Sequence, residues 1–188
     1  MSARAQSTED TRRKIIRALF DLTGVKMFPD ISLDEVALGA GVSVQTILRH
    51  FGTRAGLVEA TMDYAITAVE NERSTPVGDV DAAVRVIVDH YELRGNTSLL
   101  MLAQESRDPQ VGEITERGRR MHREWVEKTF SPFAAAHEPL IDLLVVATDV
   151  YTWKLLRRDR GLSRTQTEQR IYQLVTSLIT ANQRGELQ

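Results

Sequence analysis

The chain has 188 residues, of which 42% are hydrophobic, contains no cysteine and carries a formal net charge of −2. That apolar content supports a real core in one large or two small domains, and the missing thiols exclude disulfides, thiolate nucleophiles and thiolate metal sites. The charge excludes an indiscriminate polyanion binder but is unevenly spread: residues 1–54 hold eight Lys/Arg against six Asp/Glu, and the remainder sixteen against twenty.

The longest strongly apolar run, Leu140 to Ala147 interrupted by Asp142, is too short to cross a bilayer, and no basic-then-apolar leader opens the chain. The expectation is a cytoplasmic protein with no membrane partner. Ser7 or Thr8 caps a first helix whose apolar positions are Ile15, Ile16, Leu19, Phe20 and Leu22, with Arg12, Arg13, Lys14 and Arg17 near its opposite face. Arg12 and Arg13 are candidates for contact with a phosphate backbone. That helix must stop before Pro29, because proline disfavours helical geometry at Phe28.

Ser32 and Glu35 form a capping box that predicts a helix start, and Leu33, Val36, Ala37 and Ala40 give it one apolar face. Gly41 permits the left-handed stop and Ser43 caps a second helix at once. In that second helix Ile47 and Phe51 point inward, which leaves Val44, Gln45, Leu48 and Arg49 facing out. Two short helices joined by a tight turn are a helix-turn-helix, and the outward face of its second helix is the one that enters a DNA major groove.

Gly52 ends the second helix and Thr53 caps a long linking helix, about residues 54–73, with Leu57, Val58, Met62, Ala65 and Val69 along one stripe. Its N-terminus favours a phosphate. The boundary this implies separates a DNA-binding domain, residues 1–53, from a helical domain, residues 54–188. After the break at Ser74-Thr75-Pro76-Val77-Gly78, a helix opened by Asp79 or Asp81 runs through Leu93 and ends at Gly95-Asn96, and a shorter one spans Thr97 to about Ser106. Asp108-Pro109 opens the next, to about Phe130. Its Arg117, Arg119, Arg120 and Arg123 are spaced to pair with Glu113, Glu116, Glu124 and Glu127, which predicts a salt-bridged solvent face rather than a nucleic-acid surface.

A loop at Ser131-Pro132 precedes one helix from Pro139 to Gly161 that is apolar nearly all round, and Ser163 with Gln166 caps a last helix bearing Ile171, Leu174, Val175, Leu178 and Ile179. One side of this pair meets the chain's own core. The other side meets the same helices of a second subunit across a two-fold axis, with Leu144, Tyr151, Leu155, Ile171, Leu174, Val175 and Leu178 as interface candidates.

From Thr11 to Leu57 the chain resembles the tetracycline-repressor (TetR) family of regulators. The resemblance is carried by Thr11-Arg12, Ile15-Ile16, Ser32-Leu33, Val36-Ala37, Ala40-Gly41-Val42-Ser43, Thr46-Ile47, His50-Phe51 and Leu57. It implies an all-α fold of about nine helices, with a three-helix DNA-binding domain followed by a ligand-binding and dimerising body. Carried over by position, Ser43, Val44, Gln45, Thr46, Leu48 and Arg49 lie at the DNA, with Gln45, Thr46 and Arg49 reading bases, and His50, Thr53 and Arg54 at phosphates. Three positions depart from the family pattern: Leu48 stands at a common tyrosine, Arg54 at a common lysine, and Met27 at a common glycine.

The implied partners are a palindromic double-stranded operator, a second copy of the chain, and a small-molecule effector in a cavity of the body. Candidate wall residues are His90, Tyr91, Leu100, Met101 and Gln104 on one stretch. Trp125, Val146, Val150 and Trp153 are the others. The expected function is a sequence-specific, ligand-responsive repressor without a cofactor. No phosphate loop, dinucleotide fingerprint or zinc-protease motif is present, and His50, His90, His122 and His137 fall in separate segments without metal-ligand spacing, so no metal or enzymatic role is expected. The alternative is an all-helical adaptor that binds protein through the faces assigned to dimerisation.

Overall fold

The computed structural model describes residues 3–134 and 137–185, whose regular elements are helices, with no strand among the described residues. Contacts divide the chain into two compact units, residues 3–70 with 100–112, and residues 71–99 with 113–185.

In the first unit, α1 (Ala3–Leu22) begins before the expected caps. The residues ahead of Ser7 include two alanines, an arginine and a glutamine, all good helix formers, so nothing halts the helix there. Its C-terminus needs no left-handed glycine. The Lys26 amide donates to Leu22 O at 3.0 Å and the Thr23 hydroxyl to Phe20 O at 2.7 Å, while Met27 is extended. A short 3-10 turn, Phe28–Asp30, buries Phe28 and leads to α2 (Leu33–Ala40) and α3 (Val44–Phe51). The capping box of Ser32 and Glu35 forms in full, and Gly41 takes the left-handed conformation (φ 67°) that a side chain would strain. α4 (Arg54–Glu72) follows. α1 packs on α2, and α2 on α3, around Ile15, Ile16, Leu19, Val36, Ile47 and Leu57.

The helix α5 (Val80–Leu102) differs from the expected pair, because Gly95-Asn96 does not end it. Gly95 is there for space: a Cβ would lie 2.5 Å from Cζ3 of Trp153, so glycine admits the indole against an unbroken helix. Asp108 caps α6 (Pro109–Thr129), its carboxylate accepting from the amides of Gln110 and Val111. The expected salt-bridged face exists: Arg119 meets Glu116 at 3.1 Å, and Arg123 reaches Glu127 at 3.0 Å, Asp142 at 2.8 Å and Glu138.

Where a loop was expected, a one-turn helix α7 (Ser131–Ala134) forms. The single helix expected from Pro139 is broken into α8 (Glu138–Ala147) and α9 (Val150–Lys154), followed by a π-turn, Leu155–Asp159. The break has a local cause. The Thr148 hydroxyl donates back to Leu144 O at 2.7 Å, Tyr91 Oη donates to Thr148 O at 3.0 Å, and the Asp149 carboxylate accepts from Tyr151 N at 2.8 Å, starting a new helix. Finally α10 (Arg164–Gln183), capped by Ser163 and Gln166, packs on α8. None of the described helices is long and apolar enough to cross a membrane.

Candidate nucleic-acid interface

The second helix of the helix-turn-helix owes its orientation to three local devices. Ser43 accepts from the Thr46 amide at 3.2 Å and shares a hydroxyl contact with Thr46 at 3.0 Å, which fixes the first turn. Ile47 is fully buried and anchors the inner face. At the far end, a Cβ on Gly56 would lie 2.3 Å from Phe51 O, so glycine lets the start of α4 close against the last turn of α3.

Opposite Ile47, Gln45, Leu48 and Arg49 are exposed, and Val44 and Thr46 half-exposed. These five form one contiguous outer face beside the exposed cap Ser43. Leu48, 40% exposed, is a large apolar side chain held in water at the centre of that face. An apolar group there suits a thymine methyl and cannot hydrogen-bond a phosphate.

The flanking candidates are held differently. His50 is half-buried, its ring 6.1 Å from that of Phe51, which is itself half-buried rather than core. Arg12 lies over the Phe51 ring at 5.2 Å, and Arg13 pairs with Glu9 and Asp10 on its own helix. Thr53 accepts from the Gly56 amide at 3.0 Å, capping α4. Arg54 sits over the Phe28 ring at 5.0 Å and donates to Phe28 O at 3.1 Å, so its guanidinium already ties α4 to the turn before α2.

Two contacts that sequence reasoning missed hold that turn from its other side. Lys26 bonds the Glu35 carboxylate, and with the Ser32 amide and hydroxyl this lowers the Glu35 pKa to about 2. The Phe28 amide donates to Gln104 Oε1 at 2.8 Å, and Gln104 Nε2 donates to Leu100 O at 2.6 Å. Gln104 is therefore a buried bracket within the first unit, where Met101 is also buried and Leu100 half-buried.

In the second unit, His90, Tyr91, Val150 and Trp153 are buried together, with Tyr91 5.3 Å from His90 and 6.0 Å from Trp153 ring to ring. Trp125 is half-buried and stacks on His122 at 5.9 Å. Val146 is 62% exposed and is no cavity wall. The missed members of this cluster are Arg73, Glu72, His122 and Thr148. His122 three residues before Trp125 on a helix is a readable pairing, whereas nothing local marks Arg73 as buried.

Among the interface candidates Leu144, Ile171 and Val175 are fully buried in the chain's own core, which corrects their assignment, since no surface remains to cover. Tyr151, Leu155 and Leu174 are exposed and Leu178 is half-exposed. Together with Val146 and Leu143 they leave large apolar side chains in water on α8, α9 and α10 and the π-turn.

Residues 15–61 match the family described as "Bacterial regulatory proteins, tetR family". Among solved structures, a transcriptional regulator from Rhodococcus superposes with a TM-score of 0.69 at 17% identity, covering 90% of this chain and 96% of that one. A TetR-family transcriptional regulator from Rhodococcus gives 0.67 at 16%, covering 90% and 98%. Another from Mesorhizobium loti gives 0.57 at 18%, covering 93% and 97%. A search of curated proteins finds no match.

Proposed function

We propose that this chain, whose residues 15–61 match the tetR family of bacterial regulatory proteins, is a DNA-binding transcriptional regulator of that family and acts as a homodimeric, ligand-responsive repressor of a near-palindromic operator. The observation that carries the reading is the exposed row Gln45, Leu48 and Arg49 opposite a fully buried Ile47, on a helix capped at its start by Ser43. A side-chain row of this kind has no work to do inside the molecule. Gln45 suits adenine and Arg49 guanine, each in bidentate fashion, and Leu48 suits a thymine methyl. Ser43, Thr53 and His50 stand where phosphates flank the groove, and Arg54 joins them by its place at the start of α4.

The apolar side chains left in water on the last helices support pairing of two copies, which would set the recognition helices in major grooves about 34–36 Å apart. Effector binding that favours another spacing of those helices lowers operator affinity by the same factor by which operator lowers effector affinity. Action in the cytoplasm, without a cofactor, follows from the role.

Selection of bound duplexes from a random DNA pool with the full chain tests this. The expected result is an inverted repeat. Recovery of no common sequence at moderate salt would overturn it.

A further inference from the structure

Arg73 follows directly on α4, and it is only 7% exposed although it carries a charge. Its Nη1 meets Nδ1 of His122 at 3.3 Å and its plane covers the Tyr91 ring at 5.5 Å. Nε is fully buried and has no hydrogen-bond partner, and among the described residues Arg73 forms no ion pair. The carboxylates nearest in charge are committed elsewhere. Glu72 accepts from His90 Nδ1 at 2.8 Å and from Arg94 at 2.8 Å, and Asp149 accepts from the Tyr151 amide.

The groups that do touch Arg73 are neutral. Burial and the guanidinium itself hold the His122 pKa down to about 3, and burial pushes the Tyr91 phenol up. A buried guanidinium with no anion in contact, carrying a donor with no acceptor, is unfavourable on two counts. A water molecule would answer the donor alone. A carboxylate answers both, because side-on pairing with arginine supplies charge and acceptors together. Thr75, two residues on, leaves a second buried polar atom, its hydroxyl oxygen, without a partner on the same segment. The surroundings suit an organic body: Trp125 donates from Nε1 to Arg73 O at 2.9 Å, stacks on His122, and meets Phe130 edge-on at 6.0 Å. Half-buried Trp125 and the exposed Asn71 and Ser74 put solvent one short segment from the guanidinium.

We infer that the effector of this regulator is a small organic carboxylate, whose anionic group is bound by Nε of Arg73. The inference rests on the reading of the chain as effector-responsive.

The test uses the full chain with acetate, hexanoate and benzoate as probes, each beside its uncharged amide. Binding is followed by calorimetry and indole fluorescence, and operator affinity by anisotropy on the selected duplex. At least one acid is expected to bind saturably, about tenfold or more tighter than its amide, and to change duplex affinity. Arg73→Met, which removes an unpaired buried charge, is expected to keep its helicity and to lose that preference. Should that variant fail to fold, the acid and amide comparison on the native chain decides alone. Failure of all three acids to bind, or equal binding of acids and amides, overturns the inference. Acid binding that leaves duplex affinity unchanged overturns it together with the effector-responsive reading, whereas duplex affinity that answers equally to acids and amides overturns it alone.

Discussion

The backbone amide of Phe28 donates to the side-chain carbonyl of Gln104 at 2.8 Å, across 76 positions of the chain. The same turn is gripped from its carbonyl side by Arg54 and from its start by the Lys26–Glu35 pair. The entry to the helix-turn-helix is thus held by one residue from α4, one from the capping box and one from the segment after α5.

Gln104→Leu keeps the volume roughly and removes the acceptor, so the buried Phe28 amide loses its partner. The expected cost is about 1–3 kcal/mol of unfolding free energy, read from urea denaturation. Operator affinity should fall as well, because the start of α2 is less tightly placed. Unchanged stability would mean that the amide finds another acceptor and that the bracket is incidental.

Gly95 and Gly118 make a paired prediction, since both lie inside long helices and only one is in contact. Gly95→Ala drives a Cβ to within 2.5 Å of the Trp153 ring, which is fully buried and cannot retreat. Overpacking of this kind costs about 1–3 kcal/mol. Nothing lies within 4 Å of a Cβ on Gly118, so Gly118→Ala should stabilise by about 0.5–1 kcal/mol through chain entropy. Thermal unfolding of the two variants should move in opposite directions.

What could be read from the sequence was what is decided within a few residues. Ser32 with Glu35, Gly41 and Ser43 define the helix-turn-helix because a cap and its amide are three positions apart, and the outer row Gln45, Leu48 and Arg49 follows from helical period alone. Gly95 misled because a helix stop and a close approach use the same residue type, and the partner that distinguishes them, Trp153, is far along the chain. The doubly apolar last helices concealed which side was inner: Leu144 and Ile171 match Tyr151 and Leu155 in pattern, and only packing separates them. Arg73 was invisible for a related reason, being one of many charged residues at helix ends until its burial is known.

Arg49 and Arg54 should fail differently. Arg49→Ala removes an exposed side chain proposed to read a base and is expected to cost about 1–3 kcal/mol of discrimination at one base pair, with stability unchanged. Arg54→Ala should weaken binding to all sequences and lower the salt slope by about one. It should also destabilise the fold, because the guanidinium holds Phe28 O and covers the Phe28 ring. Salt titrations on specific and random duplexes, with parallel denaturation, separate the two. Equal losses on both duplexes for both variants would refute the assigned roles.

On the proposed dimer, Tyr151→Glu and Leu174→Glu place charge on exposed apolar positions, 56% and 42% accessible in the subunit. Sedimentation should show monomers that retain native helicity and lose operator binding. Ile171→Glu, on a fully buried side chain of the same helix as Leu174, should unfold the chain instead. Dimers persisting in both surface variants would place the two-fold contact elsewhere.

The stability of the second unit should depend on pH through His122. Its Nδ1 accepts from Arg73 and its ring is buried, so its pKa falls from 6.5 to about 3 on folding. Between those values the unfolded chain binds the proton and the folded chain does not. The contribution is therefore complete above about pH 6.5 and is lost as pH falls toward the folded value, at about 1.4 kcal/mol per pH unit. Urea denaturation at about pH 6.5 and about pH 5 samples the upper part of this range, before the carboxylates titrate. His122→Asn, which cannot take up the proton, should flatten the dependence by about 1.5 kcal/mol over that interval, even though it starts less stable. A variant whose stability falls with pH as steeply as the native chain's would show that His122 is protonated in the fold, and that Arg73 does not face it as a donor.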